Sequence, residues 1–381
     1  MIYLDNASTT RVCKEAADAA YRAMTETYGN TLSTHTMGRA AMEVMEQARG
    51  HVAALMGATP QEIIFTSGGT EADNMALFGA VGSKNRAGNH IITSAYEHYA
   101  VLKTAQELEK RGFEVTYLPP DKDGIISPES LAAQLRDDTA LVSVMLVNNE
   151  TGAVNPVAEY AAEIKRRKLK TLRSVQTMLH TDAVQAYGKL AFTVKSLGAD
   201  LISVSAHKIH GVKGAGALYI KNGVKLTQQT YGGAQENGLR PGTHALPAIA
   251  AFGEAARLAA QAIDTNYAHV SGLRDYAVVK LQALGVQIIS TPQASPYILS
   301  VSLPGYRSET LMNALEQDGI CVARSSACKK GARSHVLEAM KLPPKVIDGA
   351  LRISFSRETT TAELDIFAEK LDKIVKSLFI R

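Results

Sequence analysis

Short apolar runs that stop at glycine, serine, asparagine or histidine recur along the middle of the chain: EIIFTSGGT, HIITSAYEH, ALVSVMLVNNE, DLISVSAHK and GALYIK. They read as buried strands. Between several of them, TEADNMALFGAV, AVLKTAQELEKRG and SPESLAAQLRD carry helical spacing. Strands alternating with helices predict an α/β domain with a mostly parallel sheet. Ligands in such sheets sit beyond the carboxyl ends of the strands, which is where the polar residues of these runs cluster.

From about Ala250 the pattern changes to a long alanine-rich helix, GEAARLAAQAIDTNYAHVSGLRDYAVVKLQALG. The strand YILSVSLPG, a helix near ETLMNALEQDG and the strand GICVAR follow. This predicts a separate, smaller α+β domain.

Length and composition agree with that picture: 381 residues accommodate a large domain and a smaller one, and a hydrophobic content of 46% supplies a packed core. Basic residues number 41 against 37 acidic ones, a net charge of +4 without long runs, which leaves no electrostatic footprint for nucleic acid or a membrane surface. The stretch KRRKLKTLRSVQTM reads as a solvated helix end and loop, with a partner site as the alternative. No apolar run reaches the ~18 residues of a membrane span, so a soluble, cytoplasmic protein is expected.

Lys208, in SAHKIHG, follows the strand LISVSAH and precedes the glycine-rich turn GVKGAG, which puts it at a strand's carboxyl end. Asp182, in HTDAVQA, ends another strand. A Schiff-base lysine and a carboxylate on a pyridinium nitrogen are what pyridoxal chemistry requires. An aspartate before AVQA also serves as a helix cap. FTSGGTEADN offers a strand, a turn at Gly68, Gly69 and Thr70, and a helix start, so backbone N–H groups and the Thr70 hydroxyl are placed to hold a phosphate. A plain turn has the same sequence, but the lack of a Gly-Lys-Ser/Thr ending and of GxGxxG argues against nucleotide loops.

His98, just after the strand HIITSAY, is either a satisfied core histidine or a flat face for an aromatic cofactor. Arg352, on the apolar strand ALRISFSR, needs a bound carboxylate or a protein acid, because an unpaired guanidinium there is expensive. Cys328 lies in ARSSACKKGARSHVL with Arg324, Lys329, Lys330 and Arg333 near it in sequence, and nearby cations favour the nucleophilic thiolate. Cys321, between Ile320 and Val322, reads as core, and Cys13 as a small buried or half-buried side chain near a helix start. Three cysteines are too few for a disulfide framework and match no zinc spacing, so no metal is expected.

The motifs YLDNASTT, GNTLSTHTMG, FTSGGTEADN, SAYEHYAV, VNNETG, HTDAVQA, SAHKIHGVKG, GLRPGT, SSAC, SHVL and LRISFSR occur in the order seen in cysteine desulfurases, and the chain resembles that family from Tyr3 to about Thr361. These are class V members of the fold-type I pyridoxal-phosphate enzymes. The resemblance implies a large domain over residues 15–255 built on a seven-stranded type of sheet. Residues 1–14 and 256–381 would then form a small domain that carries the Cys328 loop. It implies that Lys208 binds pyridoxal 5'-phosphate covalently, that Asp182 faces the pyridine nitrogen, and that Gln185 and Asn149 address the ring hydroxyl. His98 would stack on the ring, and Gly69, Thr70, Ser205 and His207 would form the phosphate cup. Thr243 would reach the phosphate of a neighbouring subunit, which makes the protein a homodimer. Arg352, Asn149 and Asn30 would contact the substrate. Thr31 and Leu32 stand where the family commonly has proline and serine, and Pro241 and His244 where serine and glutamate are usual.

The implied reaction takes sulfur from L-cysteine. Lys208 moves the α-proton, the Cys328 thiolate takes the sulfur as a persulfide, and alanine leaves. A sulfur-acceptor protein is the implied partner, either an iron–sulfur scaffold or a tRNA-thiolation enzyme. Selenocysteine lyase and aminotransferase activity are rival readings on the same scaffold, and a non-catalytic docking protein is a third.

Overall fold

A computed structural model describes residues 1–82, 88–170, 177–324 and 333–377. Its strands are β1 (Ile2–Tyr3), β2 (Ile63–Thr66), β3 (His90–Ser94), β4 (Glu114–Leu118), β5 (Thr139–Ser143), β6 (Met178–Asp182), β7 (Leu201–Ser205) and β8 (Gly216–Ile220). Five more follow: β9 (Gln287–Ile288), β10 (Ile298–Ser302), β11 (Ile320–Cys321), β12 (Ala323–Arg324) and β13 (Ala350–Ser354). A seven-stranded sheet runs in the order β2-β8-β7-β6-β5-β3-β4. From β7 to β4 the neighbours are parallel, whereas β8 is antiparallel to both β7 and β2. The expected α/β architecture is present.

Every residue of β2, β3, β5 and β7 is buried, as continuous apolar runs between helical layers require. The run ALVSVMLVNNE yields a strand only up to Ser143. Beyond it Asn148 turns the backbone, its Oδ1 accepting the N–H groups of Glu150 and Thr151, both at 2.9 Å.

The alanine-rich helix spans Leu246–Ala283, 38 residues, and starts before Ala250 with proline in its first turn. It packs against the helices Lys14–Thr25 and Thr36–Ala54. At Gly253 a Cβ would lie 2.5 Å from that of Ala48, so only glycine permits this helix crossing. The division into domains near residue 255 therefore falls within a helix.

A second, antiparallel sheet has the order β12-β13-β10-β9, and β1 pairs in parallel with β11. Residues 2–10 stitch the two regions together. The Leu4 N–H donates to Cys321 O and the Leu4 carbonyl accepts from Ser354 N, both at 2.8 Å. Ala7 N donates to Ser354 Oγ at 2.8 Å, and Thr10 N donates to His207 O at 2.9 Å.

Two of the departures from the family pattern meet in space: Thr31 Oγ1 lies 2.8 Å from His244 Nδ1. The other ring nitrogen of His244 lies 3.0 Å from Oε1 of Glu236. Among the described residues no helix is long and apolar enough to cross a membrane, and no cluster of three metal-ligating side chains occurs.

Candidate active site

Beyond the carboxyl ends of β6 and β7 lies a cavity of about 360 Å³, large enough for a small cofactor with a bound amino acid. Lys208 enters it from the 3-10 turn Ala206–Lys208 that follows β7. The Nζ donates to the carbonyls of Ala7 at 2.6 Å and Ser8 at 2.8 Å. Two residues on, His210 takes a left-handed backbone conformation at φ 65°, held by its N–H bond to Thr10 Oγ1 at 2.8 Å. Burial pushes the Lys208 amine down to about 8, aided by Arg352 and opposed by Asp182 and Asp5.

Asp182 ends β6 and is buried against the cavity. One carboxylate oxygen accepts the Val184 N–H at 2.8 Å, so this residue caps a turn as well as facing the cavity. Burial raises its pKa, while His98, the Val184 N–H and Lys208 pull the other way. His98 caps the helix Tyr99–Lys110, its Nδ1 accepting from Ala100 N at 3.2 Å. That bond puts the imidazole proton on Nε2, and burial keeps the ring neutral by lowering its pKa.

The helix Gly69–Val81 points its amino end at the same cavity, where Gly69 and Thr70 form part of the wall. Backbone crowding explains the glycines: a Cβ on Gly216 of β8 would lie 2.6 Å from Gly68 Cα, and one on Gly69 would lie 2.8 Å from Val184 Cγ2. Ser205 and His207 complete this end. The Ser205 hydroxyl is buried without a hydrogen-bond partner among the described residues, an unmet donor facing the cavity. His207 is pushed down to about 4, by burial first and then by Lys208, Lys189 and Lys213, and its Nδ1 sits 3.2 Å from Thr9 Oγ1.

Arg352 of β13 also lines the cavity, and of the two sequence alternatives the protein acid is present as Asp5. Its Nη2 donates to Asp5 Oδ1 at 2.9 Å and Ser8 Oγ at 2.6 Å, and Nη1 donates to Asn149 O at 2.9 Å. Its Nε has no partner among the described residues. Asn149 and Gln185 also line the cavity. Asn30 does not: it is exposed, with its Oδ1 accepting from Leu32 N at 3.0 Å. Thr243 is likewise exposed and outside the cavity of its own chain. Cys328 lies outside the described residues.

Several residues that line the cavity or bond its wall escaped the sequence reading. Asp5 and Ser8 stood in a quoted motif, YLDNASTT, but nothing local reveals a partner more than 340 positions away. Asp73 reads as an ordinary polar residue of TEADN, yet it is buried on the cavity wall, 3.6 Å from His180. Burial and the charge of Asp182 raise its pKa well above the usual carboxylate range. Glu150, bonded to the Ser334 hydroxyl, is pushed up to about 7 by burial.

A lysine and an acid at adjacent parallel strand ends, with a glycine-led helix terminus and an unmet hydroxyl for an anion, define a pyridoxal-phosphate enzyme of the α/β type. The aminotransferase class-V family model matches residues 2–367. Cysteine desulfurase IscS of Dictyoglomus turgidum is 38% identical over 382 residues, covering 99% of this chain and 95% of that protein. A solved NifS-like protein superimposes with a TM-score of 0.93 at 38% identity, covering 99% of this chain and 100% of its own. SspA, solved in complex with cysteine, gives 0.82 at 29% identity, over 94% of this chain and 100% of that one. The chain belongs to the aminotransferase class-V family and, within it, to the cysteine desulfurases.

Proposed function

We propose that this protein converts L-cysteine to L-alanine and leaves the sulfur as a persulfide on Cys328, for transfer to an acceptor protein such as an iron–sulfur scaffold or a tRNA-thiolation enzyme. The observation that carries the reading is the convergence of Lys208, Asp182 and Arg352 on one cavity. Lys208 would hold pyridoxal phosphate covalently, with its phosphate on the Gly69 and Thr70 N–H groups, Ser205 and His207. His98 would lie against the ring, and Asn149 and Gln185 beside its hydroxyl. When bound, the cofactor supplies a protonated ring that takes up negative charge from the substrate's α-carbon.

The remaining steps belong to the chain. The Arg352 guanidinium, already fixed by Asp5, Ser8 and Asn149, binds the substrate carboxylate and sets the α-carbon's orientation. Burial raises the pKa of Asp182, and a cation against the carboxylate would favour its charged form, as His98 and Lys208 already do. Lys208 Nζ takes the α-proton and later returns a proton as alanine forms. The Cys328 thiolate attacks the substrate's sulfur, so the carbon–sulfur bond breaks as the sulfur–sulfur bond forms. Thr243 would reach a neighbouring subunit's phosphate. Exposed Tyr28, Leu32 and Tyr231, near the Thr31–His244 contact in sequence, support a subunit interface on that side.

Incubation with L-cysteine should yield alanine in step with protein-bound sulfur, and mass spectrometry should find one added sulfur atom on Cys328. A Cys328→Ala variant that still releases sulfide catalytically would refute the cysteine's role. Attachment of the cofactor needs the neutral Lys208 amine, so its rate with cofactor-free protein should rise with pH through about 8 and then level off. Stopped-flow absorbance reads this directly, and a rate flat across that range would contradict the environment described for Lys208.

A further inference from the structure

Four residues past Gln185 lies a lysine that none of these steps uses. Lys189 is 5% exposed, and its Nζ donates to Gln185 Oε1 at 3.0 Å while lying 5.7 Å from the centre of the Tyr297 ring. Gln185 Nε2 in turn donates to Ala7 O at 2.9 Å, the same carbonyl that accepts from Lys208 Nζ at 2.6 Å. A continuous line of hydrogen bonds thus joins Lys189 to Lys208.

The chemistry of its two ends leaves the Gln185 amide one orientation. An ammonium only donates, so the amide oxygen must face Lys189. A backbone carbonyl only accepts, so the NH₂ group must face Ala7. One N–H of that group is taken by Ala7, and the other is left as a donor for whatever occupies the cavity that Gln185 lines.

Among the described residues Lys189 forms no ion pair with an acid, and its side-chain contacts are the Gln185 amide and the Tyr297 ring. Behind it lies a second, small cavity whose wall includes Lys189, Lys208, His210, Tyr297 and Arg357 and no carboxylate among the described residues. A buried cation with other cations near it and no acid beside it costs the fold free energy. Burial, followed by Lys208 and Arg352, accordingly brings the Lys189 amine down to about 7. Charged or neutral, the amine keeps an N–H for Gln185.

We propose that Lys189 is a positioning residue of this site, which acts through Gln185 by holding its NH₂ group toward Ala7 and the bound cofactor. The inference deepens the pyridoxal-phosphate reading and rests on it. The dissociation constant for pyridoxal phosphate, followed by absorbance on wild type, Lys189→Met, Lys189→Arg, Gln185→Ala and the Lys189→Met/Gln185→Ala double variant, tests it. Lys189→Met should bind about fivefold more weakly, the worth of one net hydrogen bond, and Lys189→Arg, which keeps a donor, should recover most of the loss. The double variant should bind no more weakly than Gln185→Ala alone, because the lysine has nothing left to act on.

Melting of the cofactor-free proteins is followed in parallel, since a merely structural lysine would lower melting temperature and affinity together in both backgrounds. Should Lys189→Met not fold, Lys189→Leu carries the same comparison. Wild-type affinity in Lys189→Met, or losses that multiply in the double variant, would overturn the proposal and leave the enzyme reading intact. A wild-type protein that binds no pyridoxal phosphate would instead overturn the enzyme reading, and this one with it.

Discussion

Replacing Lys208 with alanine is expected to abolish both the visible absorbance of the cofactor-loaded protein and the release of alanine from L-cysteine. No other lysine is present in the wall of the cavity among the described residues, and Lys189 faces Gln185 instead. Loss of the proton carrier alone removes about 10²–10⁴-fold in rate, and loss of covalent attachment adds to it. The variant should still fold, because the carbonyls of Ala7 and Ser8 that lose their donor border a cavity that water can enter. Absorbance spectra and an alanine assay decide the matter. Persistent turnover in a variant with an unchanged visible band would mean that another amine does the work.

The second large effect concerns stability. Glu236 takes a left-handed backbone conformation at φ 49°, followed by Asn237 at φ 56°, a cost that its side chain offsets. Its carboxylate accepts from Arg49 Nη1 at 2.8 Å and Nη2 at 2.7 Å, and from the Phe65 N–H of β2 at 2.7 Å. Burial works against the charged form, yet Arg49 and His244 outweigh it and hold the carboxyl at about 2. Glu236→Gln keeps the shape but leaves the Arg49 guanidinium buried opposite a neutral amide. The expected loss is about 3 kcal/mol of unfolding free energy, measured by denaturant titration at neutral pH. Because the same carboxylate holds His244 beside Thr243, the variant should also weaken any subunit contact made there. A loss below about 1 kcal/mol would show that the pair is solvated in practice.

Much of this architecture was legible because the central strands are buried on both faces and therefore read as unbroken apolar runs. β4 was not, since it lies at the sheet edge with only Leu118 buried, and EVTYL mixes polar and apolar residues accordingly. Nor does periodicity carry direction, so GALYIK revealed a strand without revealing that β8 runs against its neighbours. The lysine, the aspartate and the glycine turn were readable because each ends a strand that ordered motifs already marked. Lys189 was not readable: in YGKLAF it looks like any solvated lysine, and only the packing of Tyr297 and Gln185 shows it to be enclosed. Arg352 was read as needing an anion, but the sequence left open whether a ligand or an acid supplies it, and Asp5 came from the far end of the chain.

The stitching by residues 2–10 has a consequence for synthesis. Lys208 leans on the carbonyls of Ala7 and Ser8, and that segment is itself fixed by Ser354 and Arg352. A ribosome must therefore deliver everything from Leu4 to Ser354 before this wall can lock against the strand Ala350–Ser354. Such distant pairing is slow to form. The nascent protein thus emerges as an unfinished socket, whose wall closes only when the strand Ala350–Ser354 has arrived.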